Sequence, residues 1–223
     1  MEFNTLSLSI TLVIIILTVL ISIGGFSNQK IMDDLIFYPP AISKRKQWYR
    51  FITCGFIHAD VMHLLFNMYA FYMFGQAVEN AFQSPRLFGE NGKLVFIILY
   101  VSALIVALLP TYLKNTDNYY YKSLGASGAV AAVVFAFIML SPMSGIGLIF
   151  IPGLSIPAFI FAIIYLAVSA YLDKRGGGRI NHSAHFWGSV YGVIFIIAAC
   201  YLVADYPVLE SFVLQVKEWI GSF

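Results

Sequence analysis

Five long runs of this 223-residue sequence contain no Asp, Glu, Lys or Arg, and they limit the folds that the chain can adopt. Each run is close to or longer than the roughly 20 residues that an α-helix needs to cross a bilayer. With 60% hydrophobic and 11% charged residues, the sequence indicates an integral membrane protein. The uncharged runs are 3–29, 61–78, 94–113, 124–172 and 180–204.

The run 124–172 is too long for a single crossing and must hold two helices. Pro152, Gly153 and Pro157 mark the break, because proline and glycine interrupt helices. The sequence therefore predicts an all-α membrane protein, a bundle of six transmembrane helices. The predicted crossings are 6–26, 61–81, 94–113, 125–140, 157–172 and 184–204.

Two segments outside the crossings complete the predicted architecture. The connection 27–60 is the longest loop, and the aromatic clusters around Tyr38 and Trp48 favour an element lying in the headgroup layer. After Ala204, apolar residues recur at helical spacing, which predicts an amphipathic helix on the membrane surface. We therefore expect a six-helix membrane domain at 1–204 and a C-terminal amphipathic tail at 205–223.

Composition and the chain ends exclude several classes of function and processing. The formal net charge is only +2 and the basic residues form no single block, so no nucleic-acid partner is expected. Glu2 and the lack of Lys or Arg before the first run favour a retained helix over a cleaved signal. Cys54 and Cys200 lie near opposite ends of crossings, which argues against a disulfide, and neither belongs to a CxxC metal motif.

Polar residues at the start of three predicted helices are candidates for chemistry. His63 and Asn67 are four residues apart and share one face of helix two, Ser127 begins helix four, and His185 begins helix six. In six consecutive crossings, the N-terminal ends of helices two, four and six lie at the same membrane face. Polar and ionisable groups are costly in hydrocarbon and therefore indicate function.

These residue types suit nucleophilic catalysis. A serine hydroxyl is a weak nucleophile until a base takes its proton, and His185 can serve as that base for Ser127. No acidic residue lies in helix four or six, so the sequence predicts a Ser-His dyad rather than a triad. The helix N-terminus at Ser127 favours a developing oxyanion, and Asn67 and His63 can complete the oxyanion hole. Closely spaced small residues also serve to pack membrane helices, which is the non-catalytic interpretation of the same stretch.

Three motifs, one each on helices two, four and six, together point to a family. In this order they resemble those of the rhomboid intramembrane serine proteases, and the likeness covers the six-helix body, roughly 3–204. The motifs are His63-Leu-Leu-Phe-Asn67, Gly125-Ala-Ser127-Gly128 and Ala184-His185-Phe-Trp-Gly188-Ser-Val-Tyr-Gly192.

The resemblance implies a role for each motif residue. Ser127 would be the nucleophile and His185 the general base, while Asn67, His63 and the backbone N–H of Ser127 would form the oxyanion hole. Structural roles near the site or in the fold are implied for Gly125, Gly128, Gly188, Gly192, Gly75, Glu79 and the Tyr49-Arg50 pair.

One position departs from the family pattern. Many bacterial members place a tyrosine one turn after the serine, where it stacks on the catalytic imidazole, but this sequence has Ala131 there. The sequence does not say which residue packs against His185.

The resemblance also implies the reaction and its partners. The expected activity is endoproteolysis of single-span transmembrane substrates near the membrane face, without a cofactor or a metal. Membrane lipid is the other expected partner, and the sequence does not specify an oligomeric state.

Two other functions fit part of the pattern. In a metalloprotease or metal transporter, His58, His63, His182 and His185 would gather at one face, but the sequence has no HExxH helix and no acidic residue beside these histidines within a crossing. A catalytically inactive rhomboid-like factor that binds membrane proteins is the second alternative, and the presence of both Ser127 and His185 argues against it.

Loop charges and the resemblance give opposite orientations in the membrane. The positive-inside rule would put the active-site face in the cytoplasm, because most basic residues lie on that side. The resemblance implies an extracytoplasmic active site in the bacterial cell (inner) membrane, and we expect this orientation because the basic first loop can belong to a folded element. The basic residues on the active-site face are Lys30, Lys44, Arg45, Lys46, Arg50, Lys114, Lys122, Lys174, Arg175 and Arg179, against Arg86, Lys93 and Lys217 on the other.

Overall fold

The computed structural model describes residues 8–147, 155–176 and 180–222, and it confirms the predicted all-α class. The six predicted crossings correspond in order to α1, α5, α6 with α7, α8, α9 and α10, whose bounds follow. The α-helices are α1 (Ile10–Ser27), α2 (Gln29–Leu35), α3 (Pro39–Arg45), α4 (Arg50–Thr53), α5 (Val61–Phe82), α6 (Gly92–Val106), α7 (Leu109–Asn115), α8 (Ser127–Leu140), α9 (Ala158–Arg175), α10 (His182–Ala199) and α11 (Val208–Ile220).

Helix length and composition support a membrane location. In the part of the chain that the structure describes, the stretches Ile10–Ser27, Gly89–Asn115 and His182–Ala204 are each long and apolar enough to span a bilayer. A fourth span results if Arg50–Phe56 and Val61–Phe82, which meet at 99°, are counted together. Helix α8 is shorter, with 14 residues, and α9 ends in charged residues.

Helix α8 lies at the centre of the bundle. It packs against α5, α6, α9 and α10, and almost every residue from Gly128 to Met139 is buried. At 1.5 Å per residue, α8 is about 21 Å long, which is shorter than the ~30 Å hydrocarbon layer. A short central helix allows Ser127, at its N-terminus, to lie below the membrane surface.

Glycines bring α10 unusually close to α8. A Cβ atom at Gly188 would overlap the carbonyl oxygen of Gly128, and one at Gly192 would overlap that of Ala132. Both obstacles are backbone atoms, which cannot rotate away as a side chain can. Small residues on α10 therefore permit close packing of the two helix backbones.

The first loop is folded rather than irregular. It contains α2, α3, α4 and a 3-10 turn at Cys54–Phe56. The buried Arg50 guanidinium donates hydrogen bonds to the carbonyl oxygens of Asp33 (2.9 Å) and Ile36 (2.7 Å) and to Gln47 Oε1 (2.6 Å). Arg50 therefore connects separate parts of the loop, in keeping with the structural role that the resemblance implies.

The buried carboxylate of Glu79 on α5 holds the start of α1. It accepts hydrogen bonds from Ser9 Oγ, the backbone N–H of Ile10, and both the backbone N–H and Oγ1 of Thr11, at 2.7–2.9 Å. A negative charge at a helix N-terminus also interacts favourably with the helix dipole. Gly75 permits this approach, because a Cβ there would lie 2.9 Å from Thr11 Cγ2.

Two details differ from the sequence-based boundaries. The third predicted crossing, 94–113, is divided, with α6 ending at Val106 and α7 beginning just before Pro110, because a proline fits the first turn of a new helix. A short antiparallel pair of strands, β1 (Gly145–Gly147) and β2 (Ser155–Pro157), precedes α9 and was not predicted. Pro152 and Gly153 lie outside the described residues, and Pro157 immediately precedes α9.

We predict that Glu79→Ala destabilises the protein, because it removes a charged acceptor from several buried donors at once. The expected loss is about 3 kcal/mol of unfolding free energy, measured by denaturant or thermal unfolding in detergent. The exposed Glu90→Ala variant is the matched control and should unfold like the wild type. A Glu79→Ala protein as stable as this control would show that the contact to α1 does not stabilise the fold.

Candidate active site

The four side chains predicted to carry the chemistry lie around one cavity. Ser127, His185, Asn67 and His63 all line this cavity, whose volume is about 880 Å³. They come from α8, α10 and α5, so the fold brings together residues that are far apart in the sequence. Exposed and polar loop residues also line it, which makes the cavity accessible to water; these include Asp60, Lys122, Ser123 and Asn181.

The closest polar contact in the cavity joins Ser127 and His185. Ser127 Oγ lies 2.7 Å from His185 Nε2, a hydrogen-bond distance. The contact depends on the glycine packing of α10 on α8, because Gly188 lies one turn after His185 on the same helix. No carboxylate among the described residues forms an ion pair or hydrogen bond with His185. In this part of the chain, Ser127 and His185 therefore form a pair and not a triad with an acidic residue.

His63 and Asn67 line the cavity from α5, where they lie on one helix face. Asn67 Nδ2 donates a hydrogen bond to the carbonyl oxygen of His63 at 2.9 Å, which leaves its second N–H for another acceptor. The His63 ring lies close to Gly125, where a Cβ would be 2.8 Å from His63 Cε1.

An unusual backbone conformation and three backbone hydrogen bonds constrain Gly125 and the loop before Ser127. Gly125 has φ +106°, a conformation that side chains other than glycine rarely adopt. Its N–H donates to the carbonyl oxygen of Cys54 at 2.9 Å, and Ser123 pairs with Phe37 through two backbone hydrogen bonds. The folded first loop therefore holds the segment that delivers Ser127 to the cavity.

The lack of a side chain at Gly128 lets neighbouring residues pack closely beside Ser127. A Cβ at Gly128 would lie 2.9 Å from Ala107 Cβ and 3.2 Å from the carbonyl oxygen of Ala184, the residue before His185. The four glycines that the sequence marked as structural, Gly125, Gly128, Gly188 and Gly192, thus all lie where a side chain would displace a neighbouring group.

Tyr165 on α9 contacts His185, and the sequence did not identify it as a residue near the site. Its ring is stacked on that of His185, with centroids 6.3 Å apart and planes inclined by 21°. Tyr165 therefore supplies the ring stacked on His185 that Ala131 cannot provide. No sequence signal marks Tyr165, because one tyrosine in an apolar helix is ordinary and its contact with His185 depends on helix packing.

The histidines do not form a metal site in the described part of the chain. There, no group of three or more His, Cys, Asp or Glu side chains is arranged to hold an ion. The histidines instead form two separate ring pairs, His58 with His63 at 5.0 Å and His182 with His185 at 5.8 Å. His58 is buried, and its Nδ1 lies 3.1 Å from Ser22 Oγ.

Comparison with known proteins identifies the family. Residues 45–202 match the Rhomboid domain family, a segment that includes α5, α8 and α10 with all the candidate site residues. The chain belongs to the rhomboid family. This confirms the resemblance that the three sequence motifs indicated.

Individual relatives agree with the family assignment. Rhomboid-like protein 11, chloroplastic, of Arabidopsis thaliana is 30% identical over 167 residues, which cover 72% of this chain and 54% of that protein. RHOMBOID-like protein 12, mitochondrial, of the same plant is 28% identical over 75% of this chain and 51% of its own length. Presenilin-associated rhomboid-like protein A, mitochondrial, of Danio rerio is 26% identical over 65% of this chain and 36% of its own length. The chain thus spans from about a third to about a half of these relatives.

We predict that Gly188→Ala separates α10 from α8 in this rhomboid protein, because the added methyl group meets the backbone of Gly128. The expected effect is a loss of about 1–3 kcal/mol of unfolding free energy, as for other overpacked positions. Thermal unfolding in detergent measures it. Ile194→Ala, at an exposed position of the same helix, is the control. Wild-type stability of Gly188→Ala would contradict the close-packing account.

Proposed function

We propose that this rhomboid protein is an intramembrane serine endopeptidase that cleaves transmembrane substrates near the membrane face by a Ser-His dyad. The observation that carries the proposal is the 2.7 Å contact between Ser127 Oγ and His185 Nε2 inside a water-accessible cavity. Family membership supports it, because rhomboid proteins are generally intramembrane serine proteases.

Proton transfer follows from this geometry. In the tautomer with the proton on Nδ1, His185 Nε2 accepts the hydrogen bond of the Ser127 hydroxyl. As Ser127 Oγ bonds to the substrate carbonyl carbon, its proton passes to Nε2, and the imidazolium then gives that proton to the leaving amine. A water molecule activated by the same imidazole hydrolyses the acyl-enzyme and restores the serine.

The negative charge on the substrate oxygen needs donors that are already in place. The backbone N–H of Ser127 lies in the first turn of α8, where N–H groups have no partner within the helix. Asn67, whose second N–H is not used in the bond to His63, and the His63 ring line the same cavity. We assign these three groups to the oxyanion hole, which would stabilise the tetrahedral intermediate.

The substrate class follows from the depth of Ser127. A helical substrate has its backbone carbonyls hydrogen-bonded, so Ser127 cannot reach one until the helix unwinds locally. Unwinding in hydrocarbon costs several kcal/mol for each unsatisfied group, and a wet cavity near the membrane face offsets that cost only there. We therefore propose single-span substrates with weak helix formers in the part of the span near the active site, reaching it from the lipid past α9.

Which cellular membrane holds the protein, and how the protein is oriented in it, stay predictions. The relatives named above are mitochondrial or chloroplastic, so they give no support to the expected bacterial inner membrane. The extracytoplasmic position of the active site, the two-part division at 204/205 and the absence of a cofactor also stay predictions.

We predict that Ser127→Ala and His185→Ala each abolish cleavage of a single-span reporter in proteoliposomes while the protein still folds. Each variant removes a group that bond making requires. Asn67→Ala should retain measurable activity, lowered by about 10²- to 10³-fold, the usual effect of losing one oxyanion donor. Normal turnover by Ser127→Ala would refute the dyad, and unchanged kinetics of Asn67→Ala would remove it from the oxyanion hole.

We predict that helix-breaking residues in the substrate set the rate of cleavage. Replacing Gly and Pro by Leu in the active-site-proximal part of the reporter's span should slow cleavage without changing its insertion, because Leu is a strong helix former. The same replacements at the opposite end of the span are the control. Equal rates for the parent and the proximal Leu substrate would show that unwinding does not select substrates.

A further inference from the structure

The imidazole of His185 has an aromatic ring on its face. The Tyr165 ring centroid lies 6.3 Å away, and the two planes are inclined by only 21°. Offset aromatic pairs in proteins have centroids 4.5–7 Å apart, so this is an ordinary stacking geometry. A second ring, that of His182, meets His185 at 5.8 Å and 79°.

The position of the His185 ring cannot be set by hydrogen bonds alone. Its side chain has one hydrogen bond among the described residues, from Nε2 to Ser127 Oγ, and no carboxylate there orients the other nitrogen. The ring is also attached at Cβ, but one hydrogen bond at Nε2 still lets its plane tilt through small changes of the two side-chain torsions. A flat ring stacked on the imidazole restricts this tilt, which the Ser127 contact cannot do.

Tyr165 is itself held in place by aromatic neighbours. Its ring contacts that of Phe135 on α8 at 5.7 Å and that of Phe161 on α9 at 5.6 Å. Phe135 is buried in α8, the helix that begins with Ser127. The same central helix thus carries the nucleophile and a residue that packs against the ring stacked on the base.

The chain has no aromatic residue at the nearer position on α8. Ala131 lies one turn after Ser127 and is buried, and its methyl group offers no ring to His185. Helix α9, which packs against both α8 and α10, contributes the ring instead.

We propose that Tyr165 is a positioning residue that holds the His185 imidazole in the plane needed to take the proton of Ser127. This inference rests on the proposed function, since it assigns Tyr165 a part in the same proton transfer. Helix α9 then contributes to catalysis as well as to the wall of the bundle. The ring of Tyr165 is what matters, and its hydroxyl is dispensable.

The test compares cleavage kinetics of three Tyr165 variants in proteoliposomes, with the single-span reporter titrated to give kcat and KM separately. Tyr165→Phe keeps the ring and should have wild-type kcat. Tyr165→Leu and Tyr165→Met keep apolar volume without a ring, and their kcat should fall about 10- to 100-fold with KM within twofold, since a small misplacement of a catalytic group costs that much. Tyr171→Leu, at an exposed position of α9, is the matched control and should behave as the wild type.

The outcomes separate this inference from the proposed function. A loss of kcat that follows the ring rather than side-chain volume or thermal stability supports the positioning role. Unchanged kcat in both ringless variants, or a rise in KM alone, overturns it while the endopeptidase proposal stands. An equal loss in Tyr165→Phe also overturns it, because the hydroxyl would then be the essential group. A wild-type protein that cleaves no single-span reporter, although folded, overturns the proposed function and this inference with it.

Discussion

The backbone contact between α10 and α8 is the constraint on which the site depends. Gly188 and Gly192 let α10 approach until a methyl group would overlap the carbonyl oxygens of α8, and Gly128 makes the same approach possible from the other side. At that separation, Ser127 Oγ and His185 Nε2 come within hydrogen-bond distance. Hydrophobic attraction does not drive helices together in lipid, so close van der Waals packing through small residues is one of the main forces that hold α10 on α8. One packing interaction therefore holds the bundle together and also sets the distance between Ser127 and His185.

Around this contact, the buried charged groups Glu79 and Arg50 have hydrogen-bond partners, and the candidate catalytic groups lie at a cavity. Glu79 is buried but accepts several hydrogen bonds from the start of α1, and Arg50 is buried but bonds to loop carbonyls. The groups proposed for catalysis line a cavity that exposed loop residues share, so water can reach them below the membrane surface. This distribution is compatible with the proposed hydrolysis, which consumes water, inside an apolar bundle.

The sequence was sufficient for the helices and the motif residues because their signals are local. Uncharged runs marked the crossings, and His63, Asn67, Ser127 and His185 are polar side chains that are costly to place in hydrocarbon. The contact of Tyr165 with His185 could not be predicted, since it depends on which face of α9 is directed at α10. The break before α7 and the β1–β2 strand pair were also missed, because a proline near a helix end and a short apolar stretch each fit several conformations.

The central claim, that His185 activates Ser127 as a nucleophile, is tested most directly by covalent labelling with a fluorophosphonate. Mapping the adduct by peptide mass spectrometry requires no knowledge of the natural substrate. The account predicts one phosphonylated serine, Ser127, and no labelling at that position in folded His185→Ala protein. Absence of an adduct on Ser127 in folded wild-type protein, or equal labelling of Ser127 without His185, would contradict it.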